Sequence, residues 1–173
     1  LPSRELVMAD VVGVSRGYEQ RRLAALDELT EAHFAVASVQ AAAQRTMPPA
    51  LLASSIVTLK AGEEAPLDEL THRLTDAGYE RCSQVEGMGQ FSVRGGILDI
   101  FPPQAEHPYR VEFWDDEIDS ISTFDVGSQR RLEQCETLRC LPCMEALPSL
   151  AKGGAAGLAK AVAALASSRR KNI

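Results

Sequence analysis

A β-hairpin is encoded by the stretch Gly89-Gln90-Phe91-Ser92-Val93-Arg94-Gly95-Gly96-Ile97-Leu98-Asp99-Ile100-Phe101-Pro102. On each side of the Gly95-Gly96 turn, apolar residues recur at every second position, which is the period of a strand with one buried face. The same period continues through Tyr109-Arg110-Val111-Glu112-Phe113-Trp114. We therefore predict a mainly antiparallel sheet over residues 79–141, whose buried side carries Phe91, Val93, Leu98, Ile100, Val111 and Phe113.

Signals for one strand and one helix precede this sheet. Residues 55–60 alternate as a strand. A helical apolar repeat follows, formed by Leu67, Leu70 and Leu74. Gly78 stands where a helix with this repeat should end. We predict that the helix packs against the sheet and that residues 55–145 form one domain of the α+β class.

The segments on either side carry different patterns. A helix capped by Ser15 is predicted from an apolar repeat that includes Leu23, Leu26 and Leu29. The apolar run at 33–39 is typical of a strand buried on both faces, and residues 40–45 suggest a short helix that Met47-Pro48-Pro49 closes. This α-β-α order predicts that residues 1–54 are part of an α/β domain. The Ala-rich residues 146–173 are predicted to be a helical tail that belongs to the same flanking domain.

Composition limits the classes of function. The formal net charge is −6 and the isoelectric point about 5.1, so long-range electrostatics disfavour binding to phosphate backbones. No apolar run is long enough to span a bilayer, the first residues lack a signal peptide's apolar core, and the four cysteines are not spaced as a secreted disulfide framework. We therefore expect a cytoplasmic protein with no membrane partner. The start at Leu1 leads us to expect a piece of a longer chain.

Motifs for catalysis, cofactors or metals are not found. The glycine-rich residues 153–160 do not place a lysine directly after the last glycine, as a phosphate-binding loop requires, so we predict no ATP site. A C-x4-C-x2-C pattern is formed by Cys135, Cys140 and Cys143. The candidate fourth ligand, Cys82, lies upstream instead of downstream, so we interpret these thiols as packing residues. Asp115-Asp116-Glu117 is interpreted as a turn instead of a cation site. The prediction is a non-catalytic chain without cofactor or metal.

Three residues on the strands suggest an interaction surface. Strand alternation places Arg94, Arg110 and Trp114 on the solvent side of the sheet, outside the core. An exposed tryptophan flanked by arginines is typical of protein–protein hot spots, because it combines apolar area with planar donors for carboxylates. The alternative is that Trp114 packs under a neighbouring element and that the arginines form surface ion pairs. Spacing alone leaves both interpretations open.

Several stretches match one known family. They are Gly78-Tyr79-Glu80-Arg81, Gln84-Val85-Glu86, the hairpin stretch quoted above, Tyr109-Arg110-Val111-Glu112-Phe113, Asp116-Glu117-Ile118-Asp119-Ser120-Ile121, Phe124-Asp125-Val126 and Ser128-Gln129-Arg130. They cover residues 55–145 densely, and Leu1-Pro2-Ser3-Arg4-Glu5 and Val36-Ala37-Ser38-Val39 also fit. On these residues the chain resembles the N-terminal, UvrB-like region of the bacterial transcription-repair coupling factors.

The resemblance implies a module similar to domain 2 of UvrB, inserted in a degenerate helicase-like domain 1, that binds the damage-recognition protein UvrA. It implies that UvrA is contacted by Arg94, Arg110 and Trp114, although the family commonly has Phe or Gly where Trp114 stands. In the full-length family member, an ATP-dependent DNA translocase, other domains bind ATP, DNA and RNA polymerase. The resemblance also allows intramolecular packing to mask the UvrA site. The implied role is to link stalled RNA polymerase to nucleotide excision repair.

Two alternatives stay open at this stage. Domain 2 of the excinuclease subunit UvrB shares the Val-Arg-Gly and Ile-Phe-Pro pattern, but it usually has Asp where this chain has Gly96. A DNA-binding module is the alternative from another class, and the acidic composition argues against it.

Overall fold

A computed structural model of the protein describes residues 1–3, 17–30 and 34–170. In this part of the chain the α-helices are α1 (Gly17–Glu28), α2 (Val39–Ala43), α3 (Pro49–Ser55), α4 (Leu67–Asp76) and α5 (Gly154–Arg170), with a 3-10 helix at Pro148–Leu150. The strands are β1 (Val57–Lys60), β2 (Glu80–Arg81), β3 (Gln90–Arg94), β4 (Ile97–Ile100), β5 (Tyr109–Trp114), β6 (Glu117–Phe124), β7 (Arg131–Cys135) and β8 (Thr137–Cys140).

Strands β2 to β7 form one six-stranded sheet in chain order, and β1 pairs with β8 in a second, two-stranded sheet. All pairs are antiparallel except the short contact of β2 with β3, which is parallel. The predicted α+β class and the mainly antiparallel sheet are therefore confirmed. The two sheets share one core, because Val57 and Leu138 of the small sheet are in the same buried cluster as Phe91 of the large sheet.

The main core lies between one face of the large sheet, helix α4 and the small sheet. The side chains of Leu70 and Leu74 on α4 are buried in it, as the helical repeat predicts. The predicted register is also correct, because Phe91, Leu98, Ile100 and Val111 are fully buried. Val93 and Phe113 are partly buried and pack against the same core. Helix α4 ends before Gly78, whose φ of +88° is a conformation that glycine adopts without strain.

A second, smaller core joins the N-terminal helices to the segment after β8. It contains Leu23, Met47, Leu52 and Leu147, with Leu26, Leu51 and Met144 packed against it. Beside it, the side chains of Arg22 and Glu145 form a fully buried ion pair with an N–O distance of 3.2 Å. Arg22 also donates to the carbonyl of Pro2. Helix α1 is thereby tied to two distant parts of the chain.

The strand predicted at 33–39 is wrong for the residues that the structure describes. Residues 34–38 are extended but exposed, and in the described part of the chain no strand pairs with them. An apolar run becomes a buried strand only where neighbouring strands pair with both of its edges. Here the Ser38 hydroxyl accepts the Ala41 N–H and starts helix α2 instead. The predicted Ser15 cap and His33 lie outside the described residues.

Proline and glycine mark the starts of helices α3 and α5, respectively. The prolines do not close α2, which already ends at Ala43 with Gln44 as its cap. Pro49 is instead the first residue of α3, a position that suits proline because the N–H it lacks would have no helical partner. The Ala-rich tail forms α5, as predicted, with Gly153 and Gly154 both at positive φ where the helix begins. Of the helices in the described ranges, none is sufficiently long and apolar to span a membrane.

Candidate interaction face of the large sheet

The face of the large sheet opposite the core carries the three predicted site residues. Strand register places Ser92, Asp99, Arg110 and Ser122 in one row across β3, β4, β5 and β6. Since cross-strand partners point to the same side of a sheet, the side chain of Arg110 lies beside that of Asp99. Arg94 and Glu112 flank this row, and Trp114 lies at the end of β5. We call this surface the arginine face and define it by Arg94, Asp99, Arg110, Glu112 and Trp114.

Asp99 is the centre of the arginine face. Its carboxylate is almost completely buried, with 2% of the side chain exposed. Arg110 binds both oxygens, with Nε donating to Oδ1 at 2.7 Å and Nη2 to Oδ2 at 2.8 Å. Arg94 donates from Nη2 to the same Oδ2 at 3.0 Å. One carboxylate therefore holds two guanidinium groups, and this cluster has a formal charge of +1.

Arg110 is fixed on several sides. Besides Asp99, its Nη2 donates to Oε1 of Gln129 at 3.2 Å, and its guanidinium carbon lies 4.6 Å from the centre of the Phe124 ring. The hydrogen bond to Asp99 raises the pKa of Arg110 above its usual value. Only 19% of the side chain is exposed. The predicted face of Arg110 is correct, but its predicted position outside the packed part of the protein is not. Strand alternation reports direction, whereas the cover over Arg110 comes from Phe124 and Gln129.

Arg94 and Trp114 are the accessible members of the face. Arg94 is the last residue of β3, before the turn at Gly95, and 53% of its side chain is exposed. Trp114 is 81% exposed, directly before Asp115, which takes the turn conformation with φ at +56°. The alternative in which Trp114 packs under a neighbouring element is thus wrong in this chain. The ion pairs of that alternative do form, because both arginines bind Asp99.

Glu112 lies between Arg110 and Trp114 along β5. Its Oε2 accepts from the Ser120 hydroxyl at 2.6 Å and from Arg131 Nη2 at 2.5 Å. The hydrogen bond from Ser120 first, and then the one from Arg131, lower the pKa of Glu112. The middle of the face therefore carries a second ion pair, whose charges cancel.

Sequence reasoning missed Asp99 in the arginine face and two partners of that face, Gln129, which binds Arg110, and Arg131, which binds Glu112. The role of Asp99 could have been found, because the hairpin register that predicts the buried face also pairs Asp99 with Ser92 and places it beside Arg110. Arg131 could not, because a register shift between β6 and β7 decides which side chain it meets. Gln129 could not be found either, because it lies in a loop and has a positive φ of +59°, and this conformation depends on the tertiary structure.

The cysteines lie elsewhere. Cys140 and Cys143 are fully buried in the main core, and burial raises the pKa of the Cys140 thiol well above its usual range. Nearby, the Tyr79 hydroxyl donates to the Leu141 carbonyl at 2.7 Å. Among the described residues, no three His, Cys, Asp or Glu side chains are grouped so that they could hold a metal ion. The absence of a cofactor stays a prediction.

Comparisons with known proteins add the family context. The family model described as "UvrB interaction domain" matches residues 57–145. The chain is 37% identical to the transcription-repair-coupling factor of Bacillus subtilis over 83% of its own length and 12% of that protein. It is 43% identical to the Escherichia coli protein of the same name over 59% of this chain and 9% of the relative. The Mycobacterium bovis relative is 46% identical over 60% of this chain and 8% of its own length. The chain thus spans only about a tenth of these curated relatives.

Proposed function

The chain belongs to the UvrB interaction domain family, and we propose that its arginine face binds UvrA as the recruiting module of a transcription-repair coupling factor. The observation that carries the proposal is the exposure of Arg94 and Trp114 on one face of the sheet, beside an arginine that is already held in place. In this proposal, the chain itself is a binding module without a catalytic site.

The chemistry of the face suits a partner protein with an acidic residue next to an apolar patch. Arg94 has N–H donors in addition to the one that binds Asp99, so it can bind a partner carboxylate in a planar, two-bond geometry. Trp114 offers a large apolar area that contact with a partner would remove from water. Residues of these two types are the ones that most often dominate the binding energy of protein interfaces.

The rest of the pathway would depend on parts of a longer protein. In the proposal, those parts bind RNA polymerase and DNA, hydrolyse ATP and move along DNA, and this chain brings UvrA to the stalled polymerase. Packing of another domain over the arginine face would mask it until UvrA is needed. Domain 2 of UvrB would use the same surface. The relatives named above favour the coupling factor, because all three carry that name.

The proposal is tested with the purified chain and purified UvrA in a surface-binding assay. We expect the parent chain to bind and the variants Arg94→Ala and Trp114→Ala to bind more weakly. The matched controls Arg45→Ala and Val162→Ala remove an exposed arginine and an exposed apolar residue away from the arginine face, and should bind like the parent. A parent chain that does not bind UvrA, or face variants that bind as tightly as the parent, would refute the proposal. Salt-sensitive binding of duplex DNA instead of UvrA would favour the DNA-binding alternative.

A further inference from the structure

We propose that Asp99 is a positioning residue of the arginine face, and that it acts on the partner through Arg94. This inference rests on the proposed UvrA binding and assigns different roles to Arg94 and Arg110. Arg110 anchors the buried carboxylate with two hydrogen bonds, and the carboxylate in turn holds Arg94 with one. The partner is then bound by Arg94, whereas Arg110 holds the Asp99 carboxylate in place.

The number of contacts separates the two arginines. Arg110 uses Nε and Nη2 on Asp99 and Gln129, lies over the Phe124 ring, and exposes only a fifth of its side chain. Among the residues that the structure describes, Arg94 binds only Oδ2 of Asp99, through Nη2, and it exposes more than half of its side chain. A guanidinium has five N–H donors, so Arg94 can keep its bond to Asp99 and still bind a carboxylate from outside.

Stability does not account for a carboxylate at this position. Replacing a buried ion pair by apolar residues of similar volume is often neutral or stabilising, so such a cluster is weak support for a purely structural role. The two serines in the same row of the sheet do not hold Asp99 either. The hydroxyls of Ser92 and Ser122 are buried and, among the residues the structure describes, have no hydrogen-bond partner. Asp99 is held by the two arginines, and its hydrogen bond with Arg94 fixes the position of that side chain.

The charge of the cluster indicates the chemistry of the partner group. Two guanidinium groups and one carboxylate leave one net positive charge, which matches a single aspartate or glutamate side chain. Without Asp99, two unpaired arginines would repel each other, and Arg94 would sample several rotamers before binding. Ordering such a long side chain at an interface weakens binding by about twofold to tenfold, mainly through faster dissociation.

The test is a double-mutant cycle that measures UvrA dissociation from immobilised chain. Asp99→Asn keeps the shape of the side chain and removes its charge. We expect it to raise the dissociation rate about threefold to tenfold. In the Arg94→Ala background the same substitution should change that rate by less than about twofold, because Asp99 acts through Arg94. Ser92→Ala, next to Asp99 in the same buried row, is the matched control and should dissociate like the parent.

A second measurement follows the free chain and does not need UvrA. The Arg110 Nε–H signal in a ¹H–¹⁵N spectrum should be sharp and protected from water exchange in the parent, and exposed to exchange in Asp99→Asn. Asp99→Glu, which moves the carboxylate by one methylene and keeps the charge, carries the same expectation on dissociation if Asp99→Asn does not fold. An equal effect of Asp99→Asn with and without Arg94, or none in either, overturns the positioning role alone. A folded parent that fails to bind UvrA overturns the proposed function and this inference together.

Discussion

Replacing Arg110 with alanine removes both of its hydrogen bonds to the buried carboxylate of Asp99 and uncovers one side of the Phe124 ring. Arg94 still donates one bond to that carboxylate, so the charge is not wholly unpaired. Losing a partner of a buried charged group costs about 1.5–3 kcal/mol for each hydrogen bond. The bond from Arg94 remains and water can enter beside the carboxylate, so the total cost is smaller than the sum for two lost bonds. We expect the free energy of unfolding to fall by about 2–4 kcal/mol.

Arg94→Ala is the matched comparison, since it removes an arginine from the same carboxylate. Its side chain is 53% exposed and donates one hydrogen bond to Asp99, so we expect a loss of only about 0–1 kcal/mol. Urea unfolding followed by far-ultraviolet circular dichroism measures both values. Fluorescence is a poor probe here, because the single tryptophan is already 81% exposed in the folded protein.

The double variant Arg110→Ala/Asp99→Ala tests the cause. If an uncompensated carboxylate explains the loss, removing it should return at least about 1 kcal/mol relative to Arg110→Ala. Equal losses for Arg94→Ala and Arg110→Ala, or no recovery in the double variant, would refute the assignment of Arg110 as the anchor.

Three further outcomes follow from the same structure. Trp114→Ala should leave the urea midpoint unchanged and speed UvrA dissociation, and quenching of Trp114 by iodide should fall when UvrA is added; undiminished quenching would place the tryptophan outside the interface. The pKa of Glu112 is lowered in the folded protein, so its stabilising effect is present above the usual glutamate pKa and lost as pH falls through the lowered value. In Glu112→Gln the free energy of unfolding should therefore fall less steeply with pH below about pH 4.5 than in the parent. An equally steep fall in both proteins would contradict this. The Cys140 thiol should resist a disulfide reagent at pH 8 until the chain unfolds, and stability should fall above about pH 9, because burial raises its folded pKa above the unfolded one.

Much of the fold could be predicted from the sequence, because the patterns involved are local. A period of two places Val111 on one side of a strand and Arg110 on the other, whatever lies beyond. A helical repeat of leucines gives α4 its buried stripe, and Gly78 marks where the helix ends. The face that carries Arg94 and Trp114 could be identified for the same reason.

Tertiary structure decided what each of those side chains meets. The run at 33–39 has the composition of a buried strand, but strand formation depends on paired neighbours, which the described residues do not supply. Strand alternation predicts the same exposed position for Arg94 and Arg110, yet Arg94 is exposed and Arg110 is held by its neighbours. That difference arises because Asp99, Phe124 and Gln129 reach Arg110 from a neighbouring strand, the end of β6 and the loop that follows it. Alternation sets the direction of a side chain, whereas its burial and partners depend on residues brought together only by the folded sheet.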